Sequence, residues 1–138
     1  MEDESLNFVG RVAQKAIIAR DGKVLLMRNK GRETWELPGG RLHKDESPSE
    51  GLRREIEEEF GVQIVVRAPV ATGTFILGRT GEPHFFVVYA CELAQPEAPF
   101  SLAEDEVEEV RWVNRDEFRS LDLWDVYKEV LTTFFEMR

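Results

Sequence analysis

The chain is poor in the residues that build disulfides, zinc sites and nucleic-acid grips. Its 138 residues include one cysteine and two histidines, too few for an internal disulfide or for the Cys/His sets that hold zinc. Lysine and arginine number 18 against 27 aspartates and glutamates, a formal net charge of -9 that argues against binding a nucleic-acid polymer through its backbone. No apolar run is long enough to cross a membrane. The start, MEDESLNFVG, has neither the basic nor the apolar region of an export signal, so a cytosolic (cytoplasmic) location is expected. No internal repeat is visible. A hydrophobic content of 42% suits one sizeable core at this length, and the expected unit is a single domain over 1–138 with 1–9 as a flexible arm. Cys91 lies in an apolar run and reads as a packing residue.

What the chain has in excess is acid, and the acid is patterned. Between Gly40 and Val62, Ser47 is a good N-cap, Pro48 suits the first helical position, Glu50 completes a capping box and Gly61 ends the helix. At about 100° per residue, Leu52, Ile56 and Phe60 form an apolar stripe, with Glu55, Glu58 and Glu59 in the adjoining sector. Carboxylates at such spacings repel, so an empty helix is destabilised and a cation is expected among them. Oxygen donors suit a hard divalent ion such as Mg²⁺, which also bridges to phosphates. Gly51 lies in the same sector at a cost of about 1 kcal/mol relative to alanine, which suggests room for a ligand. Glu57 points elsewhere and reads as a solvated surface residue.

The spacing resembles the Nudix box, G-x5-E-x7-R-E-U-x-E-E-x-G-U with U aliphatic, at every fixed position: Gly40, Glu46, Arg54, Glu55, Ile56, Glu58, Glu59, Gly61 and Val62. The preceding Trp35-Glu36-Leu37-Pro38-Gly39 and the order of elements are also similar to that family. The resemblance implies hydrolysis of a nucleoside diphosphate linked to another group, with water attacking phosphorus and Mg²⁺ assisting, Mn²⁺ being a substitute. It implies metal ligands at Glu55, Glu58 and Glu59 and at the Gly39 carbonyl. Arg54 would orient Glu55, and Glu46 would pair with Arg54. A further acid from a loop before the last strand is expected, with Glu106 the candidate and Glu104 and Asp105 close alternatives; it would bind metal or act as base, a role for which Glu55 competes. A homodimer is compatible with the resemblance alone. A non-catalytic nucleotide-binding module is the alternative of a different class.

Outside the box, Arg11–Arg20 and 23–28 read as a hairpin turned at Asp21-Gly22, followed by a polar loop over 29–34. After the helix, 63–67, 70–77 and 84–93 read as strands, with a turn over 78–83 and a linker over 94–99. A short strand at 109–113 and a helix at 123–135 close the chain, the latter packing through Trp124, Tyr127, Val130, Leu131 and Phe134. The fold class is α/β (α+β), a Nudix-type α/β/α sandwich around a mixed sheet. Arg28, Lys30 and Arg32 are candidate phosphate contacts. Trp35, Phe75 and Phe85 are candidates for stacking on a base, although aromatics at strand positions are more often core, and His84 is a candidate pocket hydrogen-bond partner. No signature of the ADP-ribose, dinucleoside polyphosphate or coenzyme A subfamilies stands outside the box. The expected substrate is therefore a nucleoside or deoxynucleoside triphosphate, cleaved to monophosphate and pyrophosphate, with ADP-ribose, nucleotide sugars and dinucleoside polyphosphates as alternatives.

Overall fold

The computed structural model describes residues 3–137; positions 1, 2 and 138, including two positions of the expected arm, lie outside the described residues. Asp3 caps a short 3-10 turn at Glu4–Leu6. The first hairpin forms where turn chemistry places it. Asp21 and Gly22 both take positive φ, 52° and 76°, which joins β1 (Arg11–Arg20) to β2 (Lys23–Asn29) through a two-residue turn. Two very short strands follow, β3 (Trp35–Glu36) and β4 (Gly39–Arg41), then helix α1 (Pro48–Phe60), β5 (Ile64–Leu77), β6 (Glu82–Leu93), β7 (Val107–Val113) and helix α2 (Asp125–Glu136).

The strands form a seven-stranded sheet ordered β3-β2-β1-β6-β5, with β4 also paired to β1 and β7 to β2. β1 runs parallel to β6 from Arg11↔His84 to Ile18↔Cys91, and the other ladders are antiparallel, so the sheet is mixed. β1 meets β2 only at Ala19 and Arg20, whereas Ala13 to Lys15 pair with β4. The sheet therefore divides beside the middle of β1, and the chain from β3 to β4 crosses that division. The Ala16 amide donates to the Pro38 carbonyl there at 2.8 Å.

Two apolar clusters, one per face, complete the sandwich. α1 packs Leu52, Ile56 and Phe60 against Ala16, Ile18, Leu25 and Met27. α2 packs Tyr127, Leu131, Phe134 and Phe135 against Ala13, Ile17, Val24, Leu26 and Val88. The α1 termini follow the sequence closely: Ser47 and Glu50 make the reciprocal capping box, and Gly61 caps the other end at φ 66°. The segments expected as two strands at 63–67 and 70–77 are one strand, because Pro69 is absorbed at register irregularities between Val66 and Ala71. Strands β6 and β7 begin two residues earlier than expected, and α2 begins two residues later. Among the described residues no helix is long and apolar enough to cross a membrane.

Candidate active site

Arg54 organises the acidic face of α1. Its Nε and Nη2 donate to both oxygens of Glu46 at 2.9 and 2.8 Å, Nη2 also reaches the Arg41 carbonyl at 3.1 Å, and Nη1 donates to Glu55 at 3.0 Å and Glu58 at 3.3 Å. The fork-on-carboxylate geometry with Glu46 is the strong form of this pairing. It pulls the Glu46 carboxyl down to about 2, the hydrogen bonds from Arg54 counting most and the His43 amide next.

The two acids nearest the sheet shift the other way from Glu46. Burial pushes Glu55 above the usual carboxylate range against the opposing pull of Arg54, with the Glu58 charge adding to the rise. Glu59, only 6% exposed, is pushed up to about 8, mainly by burial and further by Glu55 and Glu106; Lys15 and the Gly39 amide oppose the rise. That amide donates to Glu59 Oε1 at 3.2 Å. Glycine is required at both positions that face the acids. Gly39 sits at φ 143°, and a Cβ on Gly40 would collide with the Glu55 carboxyl group.

Gly51 has a different role from the one expected. A side chain there would meet Glu46 Oε1 at 2.8 Å and Gln14 Nε2 at 2.9 Å, so the space belongs to Glu46 and a buried glutamine rather than to a ligand. Both polar atoms of the Gln14 amide lack a hydrogen-bond partner.

Glu106 stands in the turn before β7, where its carbonyl accepts from the Lys30 amide at 2.9 Å and its charge is felt by Glu59. Glu55, Glu58, Glu59, Gly39 and Glu106 thus converge on one end of the sheet. Among the described residues, no three acidic, histidine or cysteine side chains stand close enough to hold an ion as they are, since Arg54 keeps Glu55 and Glu58 engaged. The donor set nevertheless fits a hard divalent cation. It consists of oxygens only, and two of its acids carry raised pKa values that a nearby positive charge would relieve.

On the opposite face, a cavity of about 180 Å³ opens beside Gly40. Its aromatic walls are Phe75 stacked on His84 at 4.7 Å and Trp124 stacked on Tyr127 at 5.8 Å, with Phe75 and Trp124 edge to face at 5.1 Å. Lys15, Asn29, Arg32, Glu36, Arg41 and Arg79 supply its polar lining. Of the candidate phosphate contacts, Arg32 lines this cavity. The Arg28 guanidinium is committed to the Arg32 carbonyl at 2.8 Å and to Glu109 at 3.1 Å, and Lys30 is exposed on the neighbouring turn. Trp35 is buried in the α2-side core, and Phe85 is 38% exposed and pairs in register with Val12 and Thr74. Trp124, Tyr127 and Lys15 were not expected at a site. The first two read as the packed side of a helix, but a lysine beside Gln14 within the mostly apolar run from Val12 to Ala19 was a usable signal.

A profile of the NUDIX domain matches residues 10–134. The chain is 33% identical over 101 residues to a MutT-like protein of Streptomyces ambofaciens, covering 73% of this chain and 61% of that protein. It is 31% identical over 121 residues to nucleoside triphosphatase NudI of Salmonella arizonae, covering 78% of this chain and 84% of the relative. The crystal structure of a MutT NUDIX hydrolase from Burkholderia pseudomallei superposes with a TM-score of 0.77 at 27% identity, covering 88% of this chain and 95% of the other. The aligned part spans less than two thirds of the Streptomyces protein's length.

Proposed function

The chain belongs to the NUDIX family, and from that membership we propose that it hydrolyses a phosphoanhydride of a small nucleotide with the help of Mg²⁺, converting a nucleoside or deoxynucleoside triphosphate to monophosphate and pyrophosphate. The observation that carries this proposal is the adjacency of an acid cluster, with Glu59 buried at its base, to an aromatic cavity with a cationic rim. The similarity to a nucleoside triphosphatase supports the substrate class.

Glu55, Glu58 and Glu59, with the Gly39 carbonyl and Glu106, would hold the ion. When bound, it would neutralise charge on the phosphoanhydride and acidify the attacking water. Arg54 keeps Glu55 and Glu58 oriented and uses Glu46 as its anchor. Glu55, lifted by burial, suits the role of general base nearer neutral pH than an exposed glutamate would. Phe75 and Trp124 stack on the base, while Arg32 and Arg79 meet the phosphate oxygens in place of Arg28 and Arg41, which are paired with Glu109 and Glu82.

The test is a phosphate-release screen with Mg²⁺, and in parallel with chelator, across nucleoside triphosphates, ADP-ribose, nucleotide sugars and dinucleoside polyphosphates. Metal-dependent release that is fastest from a nucleoside triphosphate is the expected result. Release from another class would reassign the substrate, and silence throughout would remove the enzymatic proposal.

A further inference from the structure

Four polar side chains are buried among the described residues: Gln14, Lys15, Glu59 and His84. The acid cluster accounts for Glu59, and His84 is held by the Glu82 carbonyl at 3.0 Å and by its stack on Phe75. Lys15 restrains the rise at Glu59 and lines the cavity, and neither fact gives it a contact with substrate. A charged amine is seldom kept from water without purpose, because its desolvation is costly unless it is paired.

Its partners show where it is aimed. Lys15 leaves β1 on the α2 face and crosses the division in the sheet, donating to the Leu37 carbonyl at 3.2 Å. The ammonium lies 3.7 Å from Glu36 Oε1 and 5.9 Å from the centre of the Tyr127 ring. Glu36 Oε2 accepts from Asn29 Nδ2 at 2.7 Å. Lys15, Glu36 and Asn29 all line the aromatic cavity. An ammonium has three protons and no acceptor, whereas an ionised carboxylate only accepts, so the floor of the cavity presents a fixed donor beside a fixed acceptor. The guanidinium groups of Arg32 and Arg79 are left for phosphate, Arg41 being paired with Glu82 at 3.4 Å, and the rings for the faces of a base. What remains for Lys15 and Glu36 is the edge of that base.

We infer that Lys15 and Glu36 together read the lactam edge of a nucleobase, Lys15 donating to the ring carbonyl and Glu36 accepting from the neighbouring ring N–H. Guanine, uracil and thymine carry that C(=O)–N–H unit. Adenine and cytosine offer instead a ring nitrogen beside an amino group, whose N–H is a far less acidic donor than the lactam ring N–H, so the charged Glu36 acceptor favours the lactam bases. The inference rests on the nucleotide-hydrolase proposal and deepens it by naming the base class.

The test is calorimetric binding, with Mg²⁺ present, of the α,β-methylene triphosphate analogues of guanosine, uridine, cytidine and adenosine, which resist cleavage between the α- and β-phosphates. Wild type should bind the guanosine or uridine analogue roughly ten- to a hundredfold more tightly than the adenosine and cytidine analogues, the range of one charge-assisted contact. Glu36→Gln should bring the four affinities within a few-fold of one another. If that variant does not fold because Lys15 is left unpaired, Lys15→Met/Glu36→Gln removes both charges and should show the same flattening. Tighter binding of the adenosine or cytidine analogue by wild type, or an unchanged base ratio in the variant that folds, overturns the inference. Uniform tight binding of all four analogues by wild type overturns it while leaving the nucleotide-hydrolase proposal standing. Binding of none, together with a silent hydrolysis screen, removes both.

Discussion

Glu59→Gln should make the metal-free protein more stable while depriving it of its response to Mg²⁺. Gln has nearly the shape of protonated Glu, so the substitution removes mainly the penalty for ionising a buried acid. In the folded protein that acid titrates near 8 rather than at its ordinary 4.5. The folded state therefore retains a proton that the unfolded chain has lost, and stability falls as pH rises from about 4.5 to about 8. At 1.36 kcal/mol per pH unit, the penalty has a ceiling of about 3 kcal/mol at pH 7 and about 5 kcal/mol above pH 9. Relaxation and water entry will reduce it, and we expect Glu59→Gln to gain about 1–2 kcal/mol at pH 8 in chelator, or roughly 3–8 °C in Tm for a domain of this size. Mg²⁺ should raise the Tm of wild type more at pH 8 than at pH 6, and should raise that of Glu59→Gln little. Thermal denaturation at pH 6, 7, 8 and 9, with Mg²⁺ and with chelator, reads all of this. A variant less stable than wild type in chelator at every pH, or one equally stabilised by Mg²⁺, would refute the reasoning.

Glu58, whose side chain is 53% exposed and bonds only to Arg54, is the cleanest target for separating chemistry from folding. Glu58→Gln should lower turnover at least about 100-fold with a Tm within a few degrees of wild type, and near-normal turnover would remove Glu58 from the ligand set. Gly40→Ala should drive the Glu55 carboxyl from its seat and weaken Mg²⁺ binding by about 10- to 100-fold in calorimetry; unchanged affinity would show that this seat does not matter. Trp124→Ala should raise KM roughly 5- to 100-fold with kcat nearly kept, whereas a loss confined to kcat would contradict a stacking role. At Mg²⁺ concentrations well below saturation, turnover should rise from pH 7 to pH 9, since Glu59 must lose its proton before it can take the ion, and a flat profile would contradict that assignment.

The features legible in the sequence are those whose causes are local. Ser47, Pro48, Glu50 and Gly61 act within a turn of the helix they delimit, and Asp21-Gly22 needs only its own dihedral angles to reverse the chain. The convergence of Glu55, Glu58 and Glu59 was visible for the same reason. Gly51 misled because its Cβ site is filled by Gln14, a residue from a strand whose position beneath α1 no local signal reveals. Pro69 suggested a strand break that β6 bridges by supplying a ladder on both sides. The aromatic cavity was the least legible part. Phe75, His84, Trp124 and Lys15 come from four elements, and only the sheet order brings them together.

That sheet order also bears on how the protein is made. β1 finds its parallel neighbour β6 only after the intervening hairpin, box and helix have been synthesised, and the ion pair at its start joins Arg11 to Glu82 across 71 residues of sequence. Loop closure on that scale is entropically unfavourable and slow, so this pairing should be among the last steps of folding. Helix α1, with its caps, has the local means to form early. Until β1 docks beside β6, neither Gln14 nor Lys15 is in place, and the acids of α1 have no cavity beside them. A nascent or partly unfolded chain thus carries the acidic motif without a formed pocket, which makes nucleotide binding a late reporter of complete folding.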